Sequence, residues 1–229
     1  MSTWNSKPLL VALGLLLLTG CDDAPALLKA QDSPQQMTLV DLAGGDVLLS
    51  APRGYCIDPS SVRRSTNAGF ALLARCDALG VKGFFAAQEL ALITVTTAPQ
   101  DTGATAPTLD DLIASASPSK IIESKHADGL PLIRLATEQS VTDGLSPEHW
   151  RSAFALNGQL VGLALYAPET SPALGSDGAR ILAELANLTR RASATARPTQ
   201  PAKTAETPET GKPAEANKSP FKVITGLFE

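Results

Sequence analysis

The chain has 229 residues and a formal net charge of −4, from 19 Lys and Arg against 23 Asp and Glu. This mildly acidic balance argues against a nucleic acid partner, because neutralising phosphates requires clustered Lys and Arg. The length suits one folded domain with tails.

The N-terminus has the layout of an export signal. A short polar stretch ends at Lys7 and is followed by an apolar run from Pro8 to Leu18. That run of about eleven residues would span about 16 Å as a helix, roughly half of the hydrocarbon core of a bilayer. It is therefore too short for a membrane span, and we predict that residues 1–20 are a signal peptide.

The end of this signal resembles the lipobox of bacterial lipoproteins. In Leu18-Thr19-Gly20-Cys21, a branched apolar residue and two small residues precede a cysteine. The resemblance implies cleavage before Cys21, a diacylglycerol on its thiol and an acyl chain on its new amino group, which is the palmitate-type modification of that family. Two or three fatty chains anchor a protein stably, whereas one binds membranes reversibly. A soluble exported protein with a chance cysteine at its cleavage site is the alternative.

Two acidic residues, Asp22 and Asp23, follow the cysteine directly. They resemble the signal that retains lipoproteins in the inner membrane of enteric bacteria. The pair therefore predicts the periplasmic face of the inner membrane, with the outer membrane as the alternative. Otherwise, the two acids simply begin the polar linker that we predict over residues 21–36.

The remaining cysteines favour a disulfide. With Cys21 used for lipid, Cys56 and Cys76 are left as a pair in an oxidising compartment. Their bridge closes a loop of about twenty residues, which contributes roughly 3 kcal/mol in the chain-entropy model. A catalytic thiol or a metal pair is the alternative, but zinc requires further ligands and the histidines are only His126 and His149. We predict no metal and no cofactor.

The globular part, predicted over residues 37–191, begins with strand patterns. Gly44-Gly45 is a hairpin-like turn between two short strands. A later helix has a capping box of Thr108 and Asp111, and Pro118 follows its end. The predicted segments are strands over 37–42, 46–52, 69–77, 89–97 and 130–140 and a helix over 106–117.

The clearest local pattern is a hairpin over residues 149–168. Asn157-Gly158 is typical of a type I′ turn, and its register places Phe154 opposite Val161 and Trp150 opposite Leu165. One face of the hairpin then collects large apolar side chains, as a sheet packed on a core requires. These side chains are Trp150, Phe154, Val161, Leu163 and Leu165.

A final helix is predicted over residues 176–191, with an apolar stripe that includes Leu182 and Leu185. The order of elements indicates an α+β fold, an antiparallel sheet packed against helices. From "VLLSAPRGYCID" through "TLDDL" to "HWRSAFALNGQLVGLALYAP", it resembles the PsbP-like α/β/α sandwich over about residues 46–190. The resemblance implies a binding or assembly module more often than an enzyme.

The C-terminal residues change in composition twice. Residues 192–219 are dominated by Ala, Thr, Pro, Lys and Glu without a large apolar residue, which predicts a disordered tail. Residues 220–229 become apolar again, which is typical of a docking segment. Its target is the protein's own domain, a partner groove or the membrane surface. The docking candidates are Phe221, Ile224, Leu227 and Phe228.

The sequence contains none of the common catalytic motifs, such as G-x-S-x-G, a Walker loop or H-E-x-x-H. This predicts a non-catalytic envelope lipoprotein that binds a protein partner. The alternative is a periplasmic enzyme or small-ligand-binding protein with a site near His149, Arg151 and Arg75. Strand alternation predicts Trp150 inward and His149 with Arg151 outward in solvent, while His126 is predicted in a polar loop.

Overall fold

Strands dominate the part of the chain that the computed structural model describes, residues 36–79 and 91–196. Two helices, both longer than one turn, accompany them. In chain order the elements are β1 Leu39–Leu42, β2 Val47–Ser50, β3 Tyr55–Ile57, β4 Arg63–Arg64, β5 Gly69–Arg75, β6 Leu92–Pro99, α1 Leu109–Ser115, β7 Lys120–Ala127, β8 Leu130–Ala136, β9 Glu148–Leu156, β10 Gln159–Tyr166 and α2 Ser176–Ala196.

The main sheet is antiparallel, with the strand order β3-β5-β6-β10-β9-β8-β7 and β4 paired to β5. Strands β1 and β2 form a separate antiparallel hairpin around a 3-10 turn at Ala43–Gly45. The predicted α+β class is confirmed: the fold is a large antiparallel sheet packed with two helices.

The hairpin of β9 and β10 lies at the centre of this sheet and has the predicted register. Phe154 is opposite Val161 and Trp150 is opposite Leu165. Asn157 and Gly158 have φ angles of 52° and 78°, as a type I′ turn requires. The apolar face predicted for the hairpin is fully part of the larger core.

The two helices pack on opposite faces of the sheet. On one face, Leu182 and Leu185 of α2 join the core that contains Trp150. On the other face, Leu112 of α1 packs with Ile133 of β8 and forms a second, smaller core. Both faces of the central strands are therefore covered, so side chains on either face of β9 lie beside a core.

Helix α1 has the predicted capping box of Thr108 and Asp111. Asp111 accepts a hydrogen bond from the Thr108 backbone N–H at 2.9 Å, and Thr108 Oγ1 accepts one from the Asp111 backbone N–H at 3.2 Å. This reciprocal capping satisfies two of the free N–H groups of the first turn. The helix is shorter than expected, because it covers Leu109–Ser115 rather than 106–117.

The prediction of a loop around His126 is wrong. That residue lies on β7, which pairs with β8 across a turn at Asp128-Gly129. The φ angles of these two turn residues are 50° and 75°, the same left-handed pair as in Asn157-Gly158. The Asp-Gly dipeptide was therefore the available signal for a second hairpin.

Helix α2 extends to Ala196, five residues beyond the predicted end at Arg191. Polar residues on these last turns contact the hairpin of β1 and β2. The backbone N–H of Leu48 donates to Ser193 Oγ at 2.9 Å, and that of Ser50 donates to Thr189 Oγ1 at 3.3 Å. These hydroxyls satisfy N–H groups of strand β2, so a segment without large apolar residues still packs as a helix.

The predicted disulfide between Cys56 and Cys76 is present. It joins β3 to the residue that follows β5, where Cys76 N–H also donates to the Gly54 carbonyl at 3.0 Å. The bridge therefore fastens the edge strand β3 at the end of the sheet.

Several predictions concern residues outside the described part of the chain. These are the signal peptide, Cys21, Asp22, Asp23, most of the C-terminal tail and the docking candidates Phe221, Ile224, Leu227 and Phe228. Within residues 36–79 and 91–196, neither helix combines the length and the apolar character needed to span a bilayer.

Candidate functional site

The densest polar cluster of the sequence, Glu148 to Arg151, is divided by the sheet. Alternation along β9 places Glu148 and Trp150 on the face covered by α2 and His149 and Arg151 on the face covered by α1. The four residues are adjacent in sequence, yet they belong to two separate environments.

On the α2 face, charged side chains surround the buried Trp150. Arg134 Nη1 lies 3.1 Å from Glu148 Oε2, and Lys125 Nζ lies 2.9 Å from Glu123 Oε1. The ammonium of Lys125 is 4.8 Å from the centroid of the indole ring, within cation–π range. These cations and anions form ion pairs with one another, and the paired side chains cover Trp150 at the edge of the core.

On the α1 face, His149 is 1% exposed, so its prediction as a solvated residue is wrong. Its ring stacks on Tyr166 of the neighbouring strand, with 4.8 Å between the ring centroids. The prediction failed because it assigned solvent to the second face of the sheet. A central strand packed on both faces has no solvent side.

The hydrogen bonds of His149 define its protonation state. Nδ1 lies 3.2 Å from the Pro147 carbonyl, which can only accept, and Nε2 accepts from Arg151 Nε at 3.0 Å. Both bonds exist only in a neutral ring that carries its proton on Nδ1. Burial, and then the positive charge of Arg151, lower the pKa of His149 to about 4. His149 is thus a neutral acceptor that holds Arg151 in place.

The three residues of the alternative site do not converge. His149 contacts Arg151, which also hydrogen-bonds Tyr166. Arg75 instead lies at the end of β5, where it lines a cleft to which neither His149 nor Arg151 contributes. The predicted ligand site around all three residues is therefore not assembled.

The cleft at Arg75 has a volume of about 470 Å³ and is the candidate site that we favour. It lies where the first turns of α2, and the 3-10 turn Pro172–Leu174 before it, cross the ends of β3 and β5. The polar side chains that line it are Arg53, Tyr55, Arg75, Ser171, Asp177, Arg180 and Glu184.

Tyr55 forms part of the cleft wall next to Arg75, its cross-strand partner. The residue is only 8% exposed, yet its hydroxyl has no hydrogen bond to any residue of the described chain. Burial raises the pKa of Tyr55; the positive charges of Arg75 and Arg180 oppose that rise, and the negative charge of Asp177 adds to it. The phenol is therefore neutral and can donate a hydrogen bond, in a cleft that three arginines and two acids line.

The acidic side chains of the cleft already have partners. Asp177 Oδ1 lies 3.4 Å from Arg180 Nη2, and Glu184 Oε1 accepts from the Arg53 backbone N–H at 3.3 Å. Arg75 Nη2 lies 3.1 Å from Asp77 Oδ2. Arg75 holds Asp77 through both Nε and Nη2, whereas the side chain of Arg180 remains 65% exposed and can reach a further anion.

Sequence reasoning did not identify this cleft, because its residues come from four separate segments. One signal was present: Tyr55 and Arg75 each directly precede a cysteine of the predicted disulfide. The bridge between Cys56 and Cys76 fixes their two strands beside each other. Elsewhere in the described residues, no group of three or more His, Cys, Asp or Glu side chains is placed to hold a metal ion.

No family model matches the sequence, and no curated protein matches it significantly. Solved structures show similarity at low identity. A point mutant of the protein Mog1 is 12% identical, with a TM-score of 0.40 over 66% of this chain and 93% of that chain. The Ran-binding protein Mog1p of Saccharomyces cerevisiae is 11% identical, with a TM-score of 0.40 over 68% of this chain and 96% of that chain.

A protein of Bacteroides thetaiotaomicron is 8% identical, with a TM-score of 0.36 over 67% of this chain and 47% of that chain. All three TM-scores are below 0.5. These similarities therefore bear on neither the function nor the partner of this chain.

Proposed function

We propose that this chain is a lipid-anchored protein of the bacterial envelope whose α+β domain binds a partner protein. The observation that carries the proposal is the lipobox-like sequence Leu18-Thr19-Gly20-Cys21 at the end of a short apolar signal. Cys21 becomes the acylated first residue of the mature protein. Asp22 and Asp23 retain it at the periplasmic face of the inner membrane, and a short linker connects the anchor to the domain.

Two features support binding as the activity. The cleft beside α2 is lined by the phenol of Tyr55 and by the exposed guanidinium of Arg180. The C-terminal residues 220–229 offer apolar side chains after a polar tail. Apolar segments on tethers usually dock on a surface, and here we assign a groove of the partner. The domain and this segment then hold the same partner at two points, which raises the effective concentration of each contact.

Replacing Cys21 by Ala should abolish acylation and release the protein from membranes. The thiol is the group that receives the diacylglycerol, and two or more fatty chains supply the stable anchoring. The measurement is metabolic labelling with an alkyne fatty acid together with membrane fractionation. As the control, Asp22→Asn with Asp23→Asn should keep the label and the membrane association while changing the membrane in which the protein is found. Unchanged membrane association of Cys21→Ala would contradict the anchor.

Replacing Phe221, Ile224, Leu227 and Phe228 together by Ser should weaken the capture of the partner. The measurement is crosslinking of the full chain in intact cells, followed by quantification of the proteins recovered from envelope membranes. The matched control changes two lysines of the same tail, Lys203→Gln with Lys212→Gln, and should leave recovery unchanged. If the apolar variant recovers the same proteins in the same amounts, the C-terminal segment does not dock on a partner.

A further inference from the structure

We propose that the cleft between α2 and the ends of β3 and β5 binds the carboxylate of an acidic peptide segment. The peptide nature of this ligand rests on the proposed function, in which the partner of the chain is a protein. The geometry of the cleft itself, however, points to the chemical group that enters it.

The first element of the site is the hydroxyl of Tyr55. This residue lines the cleft and is only 8% exposed, and none of the described residues accepts from its O–H, which can therefore donate to an incoming acceptor. Strand β3 and the disulfide at the adjacent Cys56 fix its position. A donor fixed in this way orders a ligand without a further loss of side-chain entropy.

The second element is the pair of guanidinium groups beside this phenol. Arg75 and Arg180 line the cleft together with Tyr55, and Arg75 is also its cross-strand neighbour. The guanidinium of Arg180 is exposed and can offer a carboxylate charge-assisted N–H donors, which bind about twice as strongly as neutral ones, whereas that of Arg75 already holds Asp77 and contributes its positive charge. Helix α2 also begins here, and its N-terminal end adds positive potential.

The third element is the state of the acidic residues. Asp177 is paired with Arg180, and Glu184 accepts the backbone N–H of Arg53. The guanidinium of Arg53, in contrast, has no hydrogen bond or ion pair to any described residue. Among the described residues, Arg53 therefore offers a guanidinium to an incoming carboxylate, whereas both acids of the cleft already have partners. The volume of about 470 Å³ accommodates a short stretch of peptide.

The test uses the full chain, purified in a non-ionic detergent, and a fluorescein-labelled peptide with the sequence Gly-Asp-Glu-Asp-Glu-Gly. Binding is followed by fluorescence anisotropy. Tyr55→Phe removes one oxygen atom and should weaken binding about tenfold, the usual effect of losing a hydrogen bond to a charged group. Its matched control is Tyr166→Phe, which removes the other tyrosine hydroxyl of the chain from the opposite face of the sheet and should leave the affinity unchanged.

A second pair of variants tests the charge. Arg180→Gln lies in the cleft, is exposed and should also weaken binding about tenfold. Arg191→Gln removes the same charge from the same helix about three turns further along and should have no effect. Because Arg180 is exposed, this variant keeps its fold even if Tyr55→Phe does not.

Two competitors identify the ligand group. A peptide in which Asn and Gln replace the acids should not bind, and inorganic phosphate should displace the acidic peptide only at higher concentration. Equal affinity of Tyr55→Phe and Arg180→Gln with the unchanged protein would overturn the inference, as would tight binding of the amide peptide or stronger competition by phosphate. None of these binding measurements depends on Cys21 or on residues 220–229. A negative result for the cleft can therefore be distinguished from a negative result for the lipid anchor or for the docking of the C-terminal segment.

Discussion

Gly178→Ala is expected to lower the free energy of unfolding by about 2–3 kcal/mol, although alanine is the better helix former by about 1 kcal/mol. A Cβ atom on Gly178 would overlap the Ala173 carbonyl oxygen and would lie 2.7 Å from Trp150 Cδ1. Neither neighbour can move easily. The carbonyl belongs to the turn before α2, and Trp150 is fully buried in the core.

The indole of Trp150 makes this clash more costly. Its Nε1–H donates to the carbonyls of Leu174 and Gly175, each at 3.1 Å, and so fixes the chain just before α2. A methyl group on Gly178 would separate the helix from this ring. The start of α2 would then lose both its packing and these two hydrogen bonds.

Thermal unfolding followed by circular dichroism measures the effect. For a domain of this size, a loss of about 2–3 kcal/mol lowers Tm by about 5–10 °C. Thr195→Ala is the matched control, because it places alanine at an exposed position near the other end of the same helix and should change Tm very little. A higher Tm for Gly178→Ala, as helix propensity alone predicts, would show that the contact with Trp150 does not constrain the fold.

His149 is expected to make the stability of the domain depend on pH between pH 7 and pH 5. The folded pKa of about 4 lies below the ordinary value of 6.5, so the unfolded chain binds more protons throughout this window. Stability is therefore fully present above pH 6.5 and is lost as the pH falls towards 4. From these two pKa values, His149 contributes a loss of about 2 kcal/mol between pH 7 and pH 5.

Urea unfolding at constant ionic strength, at pH 7, 6 and 5, measures this loss. His149→Gln should flatten the profile, because glutamine does not titrate and its carbonyl oxygen can still accept from Arg151. The matched control is His126→Gln, which replaces the other histidine of the chain, on β7. If His149→Gln keeps the full pH dependence, another group is responsible and the ring is not buried in its neutral form.

The hairpin and the disulfide could be predicted because neighbouring residues or residue chemistry specify them, whereas the cleft is formed by segments that are far apart in the sequence. Asn157-Gly158 fixes a register between neighbouring strands, so the positions opposite Phe154 and Trp150 follow from counting residues. Cys56 and Cys76 pair once Cys21 is assigned to lipid. The capping box of helix α1 requires only that Asp111 lies three residues after Thr108. Each of these features is local in sequence or follows from residue chemistry alone.

The tertiary structure decided what lies on the second face of the sheet. Alternation alone assigned this face to solvent, but α1 packs on part of it and His149 is buried there against Tyr166 and Arg151, as a neutral acceptor with a pKa of about 4. In the same way, the hydroxyls of Thr189 and Ser193 extend α2 because strand β2 lies against them.

The sequence by itself determined the α+β class, the central register, the disulfide and the residues on which a lipid anchor is proposed. Only the tertiary structure brought Tyr55, Arg75 and Arg180 to one cleft and separated Arg75 from His149. The physical reason is that strand pairing and helix capping are encoded over a few residues. A cleft depends instead on how a helix crosses the ends of distant strands, and no pattern within one segment specifies that crossing.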